Sequence, residues 1–165
     1  MTGTRSRHPI IFVAAAMLSA LPQPSRSQPL PAGPTFDLHA AQPILRAAPP
    51  QVRRRSARAE TMLGFMYATG QRVPQNVVVA TWWYDRAARR GNPTAQYLLG
   101  LMYDKGQGVP QDDIVAHMWL NLAASRARAR EREYYARIRD AVATKLSTAE
   151  LAQAQWLAWH WRPER

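Results

Sequence analysis

The sequence predicts an all-α chain built as a short α-α superhelical solenoid. Three observations predict it. A phrase is written twice: "GQRVPQNVVVATWWYDRAARRGN" begins at Gly70 and "GQGVPQDDIVAHMWLNLAASR" begins at Gly106, an offset of 36. Apolar residues recur at spacings of three and four within each copy, the period of one helix face. Glycine or a Val-Pro pair stands where that spacing breaks.

The offset runs without a gap. Ala59, Leu63, Gly64, Met66 and Tyr67 fall on Ala95, Leu99, Gly100, Met102 and Tyr103. Gly70, Gln71 and Val73-Pro74-Gln75 fall on Gly106, Gln107 and Val109-Pro110-Gln111. Ala80, Trp83, Ala87 and Ala88 fall on Ala116, Trp119, Ala123 and Ala124. A unit of this length is a pair of helices that cannot cover its apolar face alone, so units stack.

Composition sets the outer limits. A chain of 165 residues, 47% of them hydrophobic, suffices for one core. Cysteine is absent, which excludes disulfides, thiolate metal sites and cysteine nucleophiles. Arg5 and Arg7 precede an apolar run from Ile10 to Leu21, followed by Pro22, Pro24 and the small residues Ser25 and Ser27. This pattern predicts a signal peptide over residues 1–27, cleaved after Ser27, with Ala20 as the alternative position, and hence a periplasmic or secreted protein. The run is shorter than the ~20 residues of a membrane span, so the mature chain is expected to carry none; an uncleaved interfacial anchor is the other reading. Removing Arg5, Arg7 and Arg26 leaves 19 of the 22 basic residues against 11 acidic ones, a net charge of +8. That balance favours anionic neighbours, and export argues against nucleic acid among them.

Residues 28–55 read as a linker rich in proline and alanine, with one short helix expected over His39–Ala48. The cluster Arg53-Arg54-Arg55 closes it and reads as a solvated helix start. The first unit, residues 56–92, then places a helix over Ser56–Ala68 whose face is Ala59, Leu63, Met66 and Tyr67. Gly70 ends it, Val73-Pro74 makes the bend, and a second helix over Val77–Arg90 carries Ala80, Trp83, Ala87 and Ala88 before Gly91-Asn92 stops it. The second unit, residues 93–125, repeats this with helices over Pro93–Asp104 and Asp112–Ser125.

Recurrent small residues have a packing role. Gly64 and Gly100 are expected where helices cross closely, Gly70 and Gly106 at left-handed helix stops, and Tyr67 and Tyr103 in the wedge between helices. Pro74, Pro110, Trp83, Trp119, Ala87 and Ala123 complete this structural set.

After Ser125 the phrase is not written a third time. Residues 126–165 predict a divergent helical hairpin that caps the stack. Its first helix, Ala129–Leu146, has a stripe at Tyr134, Ile138, Val142 and Leu146. Ser147-Thr148-Ala149-Glu150 is a capping box for the second, which holds Leu151, Trp156, Leu157 and Trp159.

The phrases "LGFMYATGQRVPQNVVVATWWYDRAARRGN" and "LGLMYDKGQGVPQDDIVAHMWLNLAA" resemble the Sel-one-like repeat, a bacterial relative of the tetratricopeptide repeat, over about Ala57–Ser125. The closing "KLSTAELAQAQWLAWHW" looks like the tail that ends many members. The resemblance implies a right-handed solenoid of tetratricopeptide-like hairpins and a noncatalytic adaptor or scaffold for a protein partner, often in the bacterial envelope. Arg72 departs from the pattern, standing where the turn usually has its second glycine; Gly108 keeps it. Residues 126–135 replace the start of a third repeat with alternating Arg and Glu.

No spacing points to catalysis or to a cofactor. Of the histidines at 8, 39, 117 and 160, none pairs with a second ligand as a metal site would require. Asp113 and His117 lie four apart and read as helix-surface groups, and Asp112-Asp113 as helix-start carboxylates. A nucleophilic triad does not assemble, yet the resemblance keeps an envelope hydrolase as the alternative, because beta-lactamase-like activity is credited to some relatives.

The candidate site is a partner-binding face. Thr61, Phe65 and Ala68, matched by Tyr97, Leu101 and Asp104, lie off the core stripe on one side of the first helix of each unit. The alternative for Phe65, Tyr97 and Leu101 is packing against the neighbouring helix. Arg126, Arg128, Arg130 and Arg132 alternate with residues that include Glu131, which suits a solvated segment, with binding to an anionic envelope surface as the alternative. Trp156, Trp159 and His160 are expected inside the cap, with a membrane surface as their alternative neighbour.

Overall fold

The computed structural model describes residues 56–164. The expected signal peptide, the linker with its His39–Ala48 helix, and Arg53–Arg55 lie outside them. Six helices follow one another: α1 Ala57–Thr69, α2 Val77–Arg89, α3 Pro93–Lys105, α4 Asp113–Arg126, α5 Ala129–Ala143 and α6 Thr148–His160. Each repeat is one pair. α1 packs on α2 and α3 on α4, while α2 against α3 joins the units.

Five of the six starts are fixed by a side chain that accepts a free amide of the first turn; α5, which opens at Arg128, has none. Ser56, Asn76, Asn92, Asp112 and Ser147 do this for α1, α2, α3, α4 and α6. Asn76 and Asp112 are 36 residues apart, and so are the bonds they accept, from Val79 at 3.1 Å and Val115 at 3.0 Å. The capping box at Ser147 and Glu150 forms as the sequence implies. At their ends α1 and α3 stop on Gly70 and Gly106, with φ of 74° and 64°, whose amides bond Met66 and Met102.

The turn after each stop explains the departure at position 72. Arg72 has φ 65° and Gly108 has φ 72°, so both hold the same left-handed backbone. A Cβ on Gly108 would lie 2.5 Å from Thr81 Oγ1 and 2.8 Å from Val77 O, because this turn rests on α2. The turn of the first unit meets no preceding helix among the described residues, so a side chain is accommodated there.

The core runs between the helix pairs and contains Ala80, Tyr84, Ala87, Leu99, Trp119 and Leu120 among others. Close crossings account for Gly64 and Gly100: an added Cβ would meet Tyr84 Cε1 at 2.5 Å and Leu120 Cγ at 2.8 Å. Trp83 and Trp119 are 2% and 4% exposed, so each contributes a large share of the apolar burial of its unit.

The helical period outlasts the written repeat. The residues that open α1, α3 and α5 are Ser56, Asn92 and Arg128, at even intervals of 36. α5 packs on α4 as α3 packs on α2, and α6 packs on α4 as well. α5 stops at Ala143 rather than Leu146, since a turn bonds Lys145 N to Val142 O at 3.0 Å. Its inward stripe is Tyr135, Ile138 and Val142, and Tyr134 is exposed. Trp161, just past α6, is the buried tryptophan of the cap, set edge-on to Trp119 at 6.0 Å.

Candidate functional site

α1 touches α3, and Tyr97 of α3 stacks on Tyr135 of α5, so residues 36 apart hold equivalent positions along these three helices. Leu63, Leu99 and Tyr135 make the row turned inward, with Leu99 and Tyr135 buried. Two positions further on, Phe65, Leu101 and Arg137 make a row at the surface: Phe65 is 42% exposed, Leu101 half-buried and Arg137 exposed. No carboxylate pairs with Arg137 among the described residues. The row therefore grades from an aromatic ring through an aliphatic side chain to an unpaired cation.

Beside it stands an aromatic cluster that links α3 to α5. Tyr97 stacks on Tyr135 with ring centroids 4.4 Å apart, and its hydroxyl donates to the Tyr134 hydroxyl at 3.2 Å. Burial and the Tyr134 bond push the Tyr97 hydroxyl well above the ordinary phenol value, so it stays protonated.

Thr61 and Asp104, both expected on this face, are turned away from it. Thr61 is buried and donates to Ala57 O at 2.8 Å, the back-bond open to a threonine inside a helix. Asp104 is buried and binds Lys145, with Lys105 at 3.2 Å, which ties the end of α3 to the turn after α5. Burial alone would raise its carboxyl, but the two ammonium groups outweigh that and hold it below the usual range. Tyr97 is committed in part to α5. Phe65 and Leu101 stay available.

The polar groups considered for chemistry are buried or paired within the fold. His117 is buried rather than on the helix surface, and its Nδ1 meets no hydrogen-bond partner among the described residues. Burial, with Arg139 nearby, lowers its pKa and keeps the ring neutral. Asp113 turns instead to Lys145 at 3.5 Å. No group of three or more metal-ligating side chains forms among the described residues.

On α6, Trp156 and Trp159 are 38% and 78% exposed, contrary to their expected place inside the cap. Trp161 takes the buried position against α4, edge-on to Trp119 and with Arg126 over its ring at 4.5 Å.

Residues 57–92 and 93–127 each match the Sel1 repeat model. The chain carries two Sel1 repeats. Among solved structures, it superposes on a protective antigen of uropathogenic Escherichia coli strains that displays an SLR fold, with a TM-score of 0.61 and 26% identity over 67% of this chain and 23% of that one. A Sel1 repeat protein from Oxalobacter formigenes is 39% identical over 48% of this chain and 59% of that one, with a TM-score of 0.45. The chain thus spans less than two thirds of either. No similar sequence was found among the curated proteins. Sel1 repeats typically mediate protein–protein interaction, and the described residues form an all-α helical-repeat fold whose first four helices make the two repeat pairs.

Arg137 and Tyr134 were not among the sequence candidates. Extending the offset of 36 once more from Leu101 reaches Arg137, but the identities that mark the first two Sel1 repeats are gone there. None of the helices among the described residues is long and apolar enough to cross a membrane.

Proposed function

We propose that this chain is a noncatalytic adaptor of the bacterial periplasm or cell envelope that takes a segment of a partner protein along the exposed face of α1, α3 and α5. The observation that carries this reading is the row Phe65, Leu101, Arg137. An exposed phenylalanine beside a half-buried leucine is apolar surface left uncovered, and an unpaired arginine at the end of the same line adds a charge for a partner to meet. The matching segment carries apolar side chains toward α1 and a carboxylate toward α5. The pairing of Asp104 with Lys145 and the burial of His117 support a binding role over hydrolysis. The envelope assignment rests on Arg5, Arg7 and the apolar run from Ile10 to Leu21.

The test is a crosslinked pull-down from native envelopes with wild type and the Phe65→Asp/Leu101→Asp variant, both first shown to be equally helical. The proposal expects one protein to be retained by the wild type and lost by the variant. Equal recovery of every crosslinked species would contradict it.

A further inference from the structure

The outer face of α6 presents a second surface, remote in chemistry from the row on α1, α3 and α5. Trp156, Trp159 and His160 lie three and four residues apart on one side of the helix, and all three are exposed. Trp159, at 78%, is the most open large apolar side chain of the described residues. The His160 ring lies against Trp156 with centroids 4.1 Å apart, which steadies the pair.

Two cations stand at the C-terminal end of α6, around Trp161. Arg126 sits over the buried Trp161, and Arg162 donates to the backbone oxygens of Trp159 and Trp161, each at 2.9 Å. Burial, and after it the nearby charge of Arg162, disfavour the charged form of Arg126, and no carboxylate pairs with either arginine among the described residues. From Leu151 to Pro163 the sequence has no acidic residue at all. Glu150, at the opposite end of α6, is held by Ser147, and Glu164 turns to Arg89 at 3.7 Å.

Like charges side by side without a counter-charge lack the anion that would complete them. The indoles beside them have an apolar body and one N–H donor, the chemistry that settles at the headgroup level of a bilayer. A protein pocket would be expected to ask for a concave or continuous apolar patch, whereas here small and polar residues such as Ala152 and Gln155 separate the rings from the rest of the helix surface. We infer that the outer face and C-terminal end of α6, with Trp156, Trp159 and Arg162, and with Arg126 at the end of α4 beside Trp161, dock the protein on an anionic phospholipid surface. The arginines draw it in and the indoles insert at the interface. This surface is independent of the partner-binding row.

The experiment is co-sedimentation of the full chain with vesicles of phosphatidylglycerol and phosphatidylcholine in equal parts, against vesicles of phosphatidylcholine alone. Binding should require phosphatidylglycerol, weaken with added salt, and bring a blue shift of tryptophan emission. Each of Arg126→Gln and Arg162→Gln should weaken it about fivefold. Trp159→Ser, with helicity unchanged, should remove most of the blue shift and bring the affinity down further. Soluble glycerol phosphate should not compete. Binding that survives in the Arg126→Gln/Arg162→Gln/Trp159→Ser variant would place lipid contact elsewhere on the chain and overturn the inference. So would failure to bind either vesicle, or salt-sensitive capture of an acidic polypeptide without vesicle binding. The row variant Phe65→Asp/Leu101→Asp should bind vesicles as wild type does, which separates this inference from the proposed adaptor role.

Discussion

Arg72 and Gly108 occupy the same turn with the same left-handed backbone, and only their surroundings differ. The left-handed conformation costs a side-chain-bearing residue about 1–2 kcal/mol, and glycine gives part of that back as unfolded-chain entropy, about 0.5–1 kcal/mol. Arg72→Gly should therefore stabilise the fold by up to about 1 kcal/mol. Gly108→Ala adds the contact with Thr81 and Val77 to the backbone cost and should lose about 2–4 kcal/mol. Urea unfolding of the two variants checks this, and equal stabilities would refute the role given to α2. His117 supplies a second residue-level prediction. Its folded pKa lies below the unfolded 6.5 because of burial and Arg139, with Asp140 opposing. The unfolded chain then binds the extra proton, so stability is full above about pH 6.5 and falls as the pH drops through that value toward the folded pKa. His117→Asn should flatten this part of the stability curve, by at most about 1.4 kcal/mol per pH unit; an unchanged slope would show that the imidazole is not its source.

At the scale of elements, α5 is the helix on which the end of the stack depends. Tyr135 is its buried anchor, stacked on Tyr97, and Tyr135→Ala should cost about 3–5 kcal/mol, with loss of protection against hydrogen exchange greatest in α5 and α4. A loss spread evenly over α1 and α2 would contradict that. The boundaries of α1 to α4 were legible because caps, glycines and apolar spacing agree in both copies. The stripe of α5 was not, because Tyr134 and Tyr135 are adjacent and both fit a helical spacing with Ile138 and Val142; Tyr97 touches both but stacks face to face only on Tyr135, which is the buried one. The tryptophans of α6 posed the same problem. Three indoles within six residues, Trp156, Trp159 and Trp161, compete for one place against α4, and Trp119 with Arg126 selects the last.

For the molecule as a whole, two faces carry the functional proposals. One is the row across α1, α3 and α5, and the other is the outer side of α6. Phe65 and Leu101 could be read from the sequence as a pair because the repeat aligns them, while Arg137 appears only when α5 is seen to keep the interval that its residues no longer spell. Thr61 and Asp104 were misplaced because periodicity marks an angle around the helix and not what stands opposite. For Asp104 that neighbour is Lys145, 41 residues away in sequence. The central claim, that a partner lies on the row, is tested most directly by photocrosslinking in intact cells. One photoreactive residue replaces Leu101, a second replaces Phe65, and a control replaces Val78, which on α2 is 41% exposed against 42% for Phe65. The account predicts a discrete protein adduct from positions 65 and 101 and none from 78. Adducts of equal yield and identity from all three positions, or from 78 alone, would contradict it.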